Sequence, residues 1–337
     1  VRYYSIKIVN AQSGKLYQPP AFASLNLPFS YGSYVNGQTL PGALDIELDV
    51  EQAPQGAPPV GSWVRIHGVS LAEIAQAQNF NPAIRQVAAY NISLEVGMQK
   101  GLPLANPAEI GIIASGGIYQ SFGNWIGNDM TLEFIFGPNV GTETKPVNIV
   151  HLWRKGTPLG PVIKATLQLA FPGFTITGTD SLNPGLVFTA SNFDTTFCQS
   201  LDEYAAYLNQ LSKSIIGDQN YDGVDIAVLG KTINVYDYTT PPPAKQINFQ
   251  DLIGQPTWLA PLQVSVKTVM RGDIQIGGVV TLPQTAVTQT ATTLGSFASK
   301  SIFQGSFKVQ GLRHVGHFRQ PAADSWVTVM DLAAMPV

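Results

Sequence analysis

Apolar and polar residues alternate with a period of two through much of this chain. Leu44, Ile46, Leu48 and Val50 interleave with Asp45, Glu47, Asp49 and Glu51, so an extended backbone sends one set to each face of a strand. Tyr4, Ile6 and Ile8 alternate in the same way near the start. Leu262, Val264 and Val266 alternate with Gln263, Ser265 and Lys267. Gly277-Gly278 then offers positive φ before a β-rich run, Val279 to Leu282, that Pro283 closes. That stretch reads as a strand and its return. Asn36-Gly37 is a hairpin turn signal, and further strands are expected at 63–67, 91–96, 131–136, 306–312 and 326–330. A Gly-rich approach at 116–124 precedes one of them.

The period changes to 3.6 in three places. Ser70 and Glu73 form a capping box for a short helix through Ala77. Pro161 reads as a helix N1 residue, with Val162, Ile163, Leu167 and Ala170 at helical spacing and Pro172 as the stop. Ser200 and Glu203 give a second capping box, after which Leu201, Tyr204, Leu208, Leu211 and Ile215 mark a buried stripe. With short strands expected at 174–177, 186–190, 224–229 and 232–236, the middle is an α-β-β-α-β-β unit. The fold class is therefore mainly β with an α+β insertion. A β-barrel or sandwich domain spans 1–140, an α+β domain 147–238, and a second β domain 246–337 follows the stiff Pro241-Pro242-Pro243 linker. The Thr/Gln/Ala-rich run at 285–293 reads as a loop.

Composition narrows the function. The 337 residues are 45% hydrophobic, enough for a large core, and only 12% charged. A net charge of −3 gives no general basic field for phosphates. The lone Cys198 excludes an intrachain disulfide and a multi-cysteine zinc site, and with no basic neighbour it reads as an inert thiol. No run reaches the ~18 apolar residues of a membrane span, so no membrane anchor is expected. The first residues alternate like a strand and lack a signal-peptide core.

Four patterns could carry function. The stripe of Asp45, Glu47, Asp49 and Glu51 could supply paired carboxylates for glycoside hydrolysis, but no aromatic sugar platform or apolar pocket stands beside it. Like charges about 7 Å apart repel, so a wet or interface face is the reading for this stripe. Asp218 to Gly223 matches half of a calcium loop, yet the twelfth position is Leu229 in place of the bidentate Glu. A turn between helix and strand fits better. Arg271-Gly272-Asp273 spells a cell-adhesion tripeptide, a weak signal inside a β-rich stretch. His314 and His317 could suggest a metal pair, but an offset of three on a strand sends them to opposite faces. No nucleophile, base and anion hole come together, so no enzyme, no cofactor and no metal are expected.

Taken together, TLPGALDIELDVE, MQKGLPLANP, GGIYQSFGNWIGNDMTLEFIF, IVHLWRKGTPLGPVIKATLQLAFPG, DLIGQPTW and VMRGDIQIGGVVTLP resemble baseplate hub proteins of contractile-tailed bacteriophages. The resemblance spans nearly the whole chain. It implies a structural virion protein of the tail baseplate, assembled in the host cytoplasm, in which two tail-tube-like β domains per subunit make a homotrimer into a pseudo-six-fold ring. The implied partners are the central spike protein below, the tail tube protein above, a tape measure protein in the lumen and the surrounding baseplate proteins, with DNA passing through unbound. Strand exchange between the β domains is a feature of such hubs. If the acidic stripe faces the lumen it would repel phosphates. A tube-initiating or spike-like part of a related contractile injection system is the alternative, and a glycan-binding or cell-wall-hydrolysing protein a more distant one.

Overall fold

The computed structural model describes residues 1–55, 61–81, 90–99, 106–138, 147–189, 194–260, 262–283 and 305–335. The expected loop at 285–293, and most of those at 54–59 and 101–107, lie outside them. Within the described residues the chain is mainly β, as the alternation predicts. The first third forms β1 (Arg2–Asn10), β2 (Tyr31–Gly32), β3 (Tyr34–Val35), β4 (Gln38–Thr39), β5 (Asp45–Gln52), β6 (Ser62–His67), β7 (Tyr90–Met98), β8 (Gly111–Ile126) and β9 (Asp129–Gly137), with α1 at Leu71–Gln76. The middle adds β10 (Ile149–Trp153), α2 (Leu159–Ala170), β11 (Thr175–Thr177), β12 (Asp194–Cys198), α3 (Leu201–Ile216), β13 (Asp225–Leu229) and β14 (Thr232–Tyr236). The last third contributes β15 (Lys245–Gln246), β16 (Thr257–Ala260), β17 (Gln263–Val269), β18 (Val279–Leu282), β19 (Gly305–His317) and β20 (Trp326–Ala334).

The two outer thirds share one 13-stranded sheet, ordered β16-β17-β20-β19-β5-β6-β9-β8-β7-β1-β2, with β18 and β15 attached beside β19. It curls into a half-barrel. The join is the antiparallel pairing of β19 with β5, from Leu312 opposite Gln52 to His317 opposite Glu47. A bulge between Val309 and Gly311 lets β19 serve both sides of the join. Before the bulge Phe307 and Val309 point into the core; after it Leu312, His314 and Gly316 do. One extra residue has switched the parity, and the early half of β19 pairs with β18 while the late half pairs with β5.

Other contacts reinforce the join. Arg2 on β1 donates to the carbonyls of His317, Phe318 and Ala322 at 2.7, 3.1 and 3.1 Å and to Ser325 Oγ, tying the first strand to the β19–β20 connection. Trp326 at the start of β20 packs in the core of the first third, and its Nε1–H donates to the Gly97 carbonyl at 3.1 Å. Gly316 leaves room for that indole: a Cβ there would lie 2.6 Å from the ring. Beyond this core, a second gathers Val264, Val266, Val280, Phe307, Met330 and Leu332, and the middle unit keeps its own around Trp153, Leu159, Ile163, Tyr204 and Leu208.

Local signals read from the sequence have clear counterparts. Asn36 and Gly37, at φ 50° and 80°, make the tight turn of the β3–β4 hairpin. The Ser70–Glu73 capping box is complete. Around α3 the box is half made: Ser200 Oγ accepts the Glu203 N–H, but Glu203 reaches the Gln199 N–H instead of the cap residue's own. Other expectations need correction. β17 and β18 are not a hairpin; β17 lies between β16 and β20, and β18 returns against β19, because residues 270–278 pack as an irregular seam between them. α2 starts two residues before Pro161, with Pro158 as its cap, since no N–H of the first turn needs an intrahelical acceptor. The run expected at 186–190 is described only over 186–189 and forms no strand there: Pro184-Gly185 precedes it, and Leu186 and Phe188 use their carbonyls to hold the entry to α2. The middle unit also opens on β10 and includes β12. Ile149, His151 and Trp153 point inward and Val150 and Leu152 outward, so the apolar content of both faces hides the period.

If the join makes one folding unit of the outer thirds, Trp326→Ala lowers the unfolding free energy by ~3–5 kcal/mol. Amides of β1 and β17 should then lose protection together in native-state hydrogen exchange. Loss of protection in β17 alone would show that the thirds open separately.

Candidate functional site

The join places Asp45, Glu47 and Asp49 on the face of the sheet opposite the core, and neighbouring strands meet them with arginine and histidine side chains. β6 lies on one side of β5, with Glu47 opposite Arg65 and Asp45 opposite His67; β19 lies on the other, with Glu47 opposite His317 and Glu51 opposite Arg313. Arg65 bridges Glu47 at 3.2 Å and Glu133 of β9 at 2.7 Å, while its guanidinium lies over the Trp63 ring. Arg313 grips Asp49 through Nε and Nη2 at 2.9 and 2.7 Å, a fork-on-carboxylate geometry. His317 Nε2 lies 3.0 Å from Asp45 Oδ2, and His67 Nδ1 lies 2.9 Å from Asp129 Oδ2. Asp45 also accepts the Arg319 backbone N–H at 3.0 Å.

The stripe is thus part of a ladder in which carboxylates meet arginines and histidines. The expected mutual repulsion is answered by the charges of Arg65 and Arg313, which lie 18 and 264 positions from Glu47 and Asp49, with His67 and His317 beside them as hydrogen-bonding neighbours. Asp45, Glu47 and Asp49 are half-buried and only Glu51 is exposed, so the face is less open than four bare carboxylates would be. Nothing local to β5 signals these partners. The face still keeps an acidic excess: Asp45, Glu47, Asp49, Glu51, Asp129, Glu133 and Asp331 stand against Arg65, Lys267 and Arg313.

The other patterns resolve into structural joints. Arg271 is 3% exposed; it pairs with Asp273 at 2.8 Å and approaches Glu109 and Asp251, so the adhesion-like tripeptide is buried. A Cβ on Gly272 would lie 2.4 Å from the Val96 carbonyl, and one on Gly111 would lie 2.2 Å from the Gly272 carbonyl. Here the backbones of the two thirds touch. In the calcium-like loop, Asp218 accepts the Asn220 N–H, Asp222 pairs with Lys308 of β19, and β13 follows, so the segment is the turn between helix and strand. His314 points to the core and bonds Thr328, while His317 joins the ladder: the offset of three does separate them. Burial holds His314 down to about 3 and His151 to about 4, and pushes the Cys198 thiol up to about 11. Among the described residues, no three His, Cys, Asp or Glu side chains are grouped to hold a metal ion.

Asp225, where the middle unit meets β19, is the carboxyl with the largest consequence for pH. Desolvation raises it to about 6, although Asn209 donates to it at 2.9 Å and Lys213 and Lys308 lie near. Its folded value exceeds the unfolded one, so the stability it contributes is full below about pH 4 and is lost as pH rises through about 6. Asp225→Asn, which keeps the acceptor for Asn209, should raise stability at pH 7 by ~2 kcal/mol and flatten that slope in thermal melts from pH 4 to 7. Across the ladder, a double-mutant cycle of Glu47→Gln with Arg65→Met should give a coupling of only ~0.5–1 kcal/mol, because both groups remain partly exposed.

No protein family and no curated protein matches this chain. Solved structures do match it. The 43 kDa tail protein of prophage MuSo2 from Shewanella oneidensis is 8% identical over 99% of this chain and 98% of its own, with a TM-score of 0.49. A tail protein from Neisseria meningitidis MC58 is 10% identical over 98% and 96%, with a TM-score of 0.44. A type VI secretion component of E. coli, described as structurally similar to tail proteins of bacteriophage T4, is 8% identical over 88% and 75%, with a TM-score of 0.45. These are likenesses of chain path, and no residue role is taken from them.

Proposed function

We propose that this chain is a structural component of a phage-type tail, acting as the baseplate hub that joins a central spike to the tail tube as a homotrimeric ring. The observation that carries the reading is the single curled sheet, in which two β-rich thirds of one chain lie side by side through β19 and β5. Two such units per chain are what a three-chain ring needs to present six. The resemblance of the quoted segments to hub proteins supports the same role. In this reading residues 1–140 and 246–337 supply the two tube-like units, and residues 147–238 decorate the outside.

The ladder face lines the lumen in this proposal. Internal ion pairs hold its side chains in place, and the acidic excess repels phosphates, so that DNA and an extended tape measure protein pass without adhering. The terminal strand of the sheet, β16, carries exposed Leu259 beside exposed Leu262, and its outer edge is a place for a neighbouring copy to pair.

Light scattering with particle images from the same sample tests the role: a mass of three chains and a ring with an open channel is expected. A compact monomer that stays monomeric when mixed with spike and tube proteins would rule it out. The lumen assignment has its own test in Asp45→Asn, Glu47→Gln, Asp49→Asn and Glu51→Gln combined. The trimer should form, while DNA release slows because the wall loses the acidic excess that repels phosphates, Asp129, Glu133 and Asp331 then only balancing Arg65, Lys267 and Arg313. Loss of the trimer with unchanged DNA release would instead make this face an interface.

A further inference from the structure

The middle unit carries a two-stranded ribbon, β10 with β12, and no third strand pairs with either among the described residues. One face of the ribbon closes the unit's core, and Ile149, His151, Trp153 and Cys198 are buried on it. Alternation along both strands sends the other set of side chains outward. Val150 and Phe197 stand opposite each other in the antiparallel register, and Leu152 follows two residues along, opposite Thr195. These three are 37%, 67% and 41% exposed in the order Val150, Phe197, Leu152. Single exposed apolar side chains are ordinary on a protein surface, but these are neighbours on one face. The strands bring no carboxylate to that face: Asp194 lies opposite the inward Trp153 and accepts the Tyr207 hydroxyl.

Charge decides what this face can receive. Arg154 and Lys155 follow directly on the last residue of β10, both are exposed, and neither side chain is hydrogen-bonded or ion-paired among the described residues. Elsewhere in the fold Arg65, Arg271, Lys308 and Arg313 each bridge a carboxylate. Glu203, beyond the opposite end of the ribbon, already accepts the Gln199 N–H. The exposed apolar row therefore ends in two uncompensated positive charges. A strand added to the ribbon would gain main-chain hydrogen bonds, lay alternate apolar side chains along Val150, Leu152 and Phe197, and bring carboxylates to the two cations. We infer that this ribbon is where the middle unit takes up an extended segment of another protein, with apolar residues at alternate positions and carboxylates at the end that meets Arg154 and Lys155. The surface is independent of the hub role, because it uses no residue of the ladder face or of the β19–β5 join.

The test uses the full chain and two probes, fluorescein-Gly-Thr-Val-Thr-Val-Asp-Asp-amide and the same peptide ending in Lys-Lys, in anisotropy titrations at low salt. The Asp-Asp peptide should saturate and bind at least about tenfold tighter than its Lys-Lys counterpart. Its unlabelled form should shift the methyl resonances of Val150 and Leu152 and leave those of Val264 and Val266, in the other core, in place. Arg154→Gln with Lys155→Gln should bring the two affinities within about twofold. Phe197→Ser with Leu152→Thr, both at exposed positions, should weaken binding of the Asp-Asp peptide at least about tenfold, with unchanged methyl resonances of the buried Ile149 and Ile163 as the sign of an intact fold. Equal affinities in the unaltered protein, no saturation by either peptide, or undiminished binding to the folded Phe197→Ser, Leu152→Thr chain would each overturn the assignment. So would a fall in the mass of the free protein by light scattering on that double substitution, since a second copy of the chain would then be what covers the face.

Discussion

The antiparallel pairing of β19 with β5 is the contact on which the rest of this structure depends. Six consecutive residue pairs, from Leu312–Gln52 to His317–Glu47, turn two sets of strands at opposite ends of the chain into one sheet. A strand edge left bare at that line would expose a row of unpaired N–H and C=O groups and a slice of core. Pairing removes both at once. It also explains the long β19: one strand must serve the β18 side with one parity and the β5 side with the other, and the bulge at Gln310 makes the change.

The charged ladder is a consequence of the same pairing. Arg313 and His317 reach Asp49 and Asp45 only because β19 lies beside β5, and Arg65 reaches Glu47 and Glu133 because β6 lies between β5 and β9. Partly exposed pairs of this kind add little stability singly. Their effect is on surface character: a strand that would carry four bare carboxylates presents an ordered face with a modest acidic excess. On the opposite face the same strands bury Ile46, Leu48, Val50, Val64 and Ile66 almost completely, and that burial holds the sheet's curvature against the core.

The middle unit stands apart from this logic. It has its own core and touches the large sheet through a few specific links, among them Lys308 with Asp222 and the Gln55 N–H with the Ile226 carbonyl. Such a junction leaves a cavity beneath the β13–β14 hairpin. It also places Asp225 where it is poorly solvated, so the unit's attachment carries a pH dependence that the sheet's own core does not.

Taken alone, the sequence determined the local features, because strand faces and helix caps depend on residues within a few positions of one another. The alternation around Ile46, the turn at Asn36-Gly37, the Ser70–Glu73 box, the stripe of α3 and the separation of His314 from His317 were all legible in this way. It also determined the β-rich class. Only the tertiary structure decided what those strands pair with. No local signal shows that β17 runs beside β20 rather than β18, or that Arg313 will neutralise Asp49 from 264 positions away. The bulge in β19 and the two in β8 were hidden for a related reason: an extra residue is set by the partner strand's register, and a single chain read in order does not contain its partner's position. The carboxylates of the candidate surface were therefore readable from sequence, whereas their counter-ions came only from how distant segments fold together.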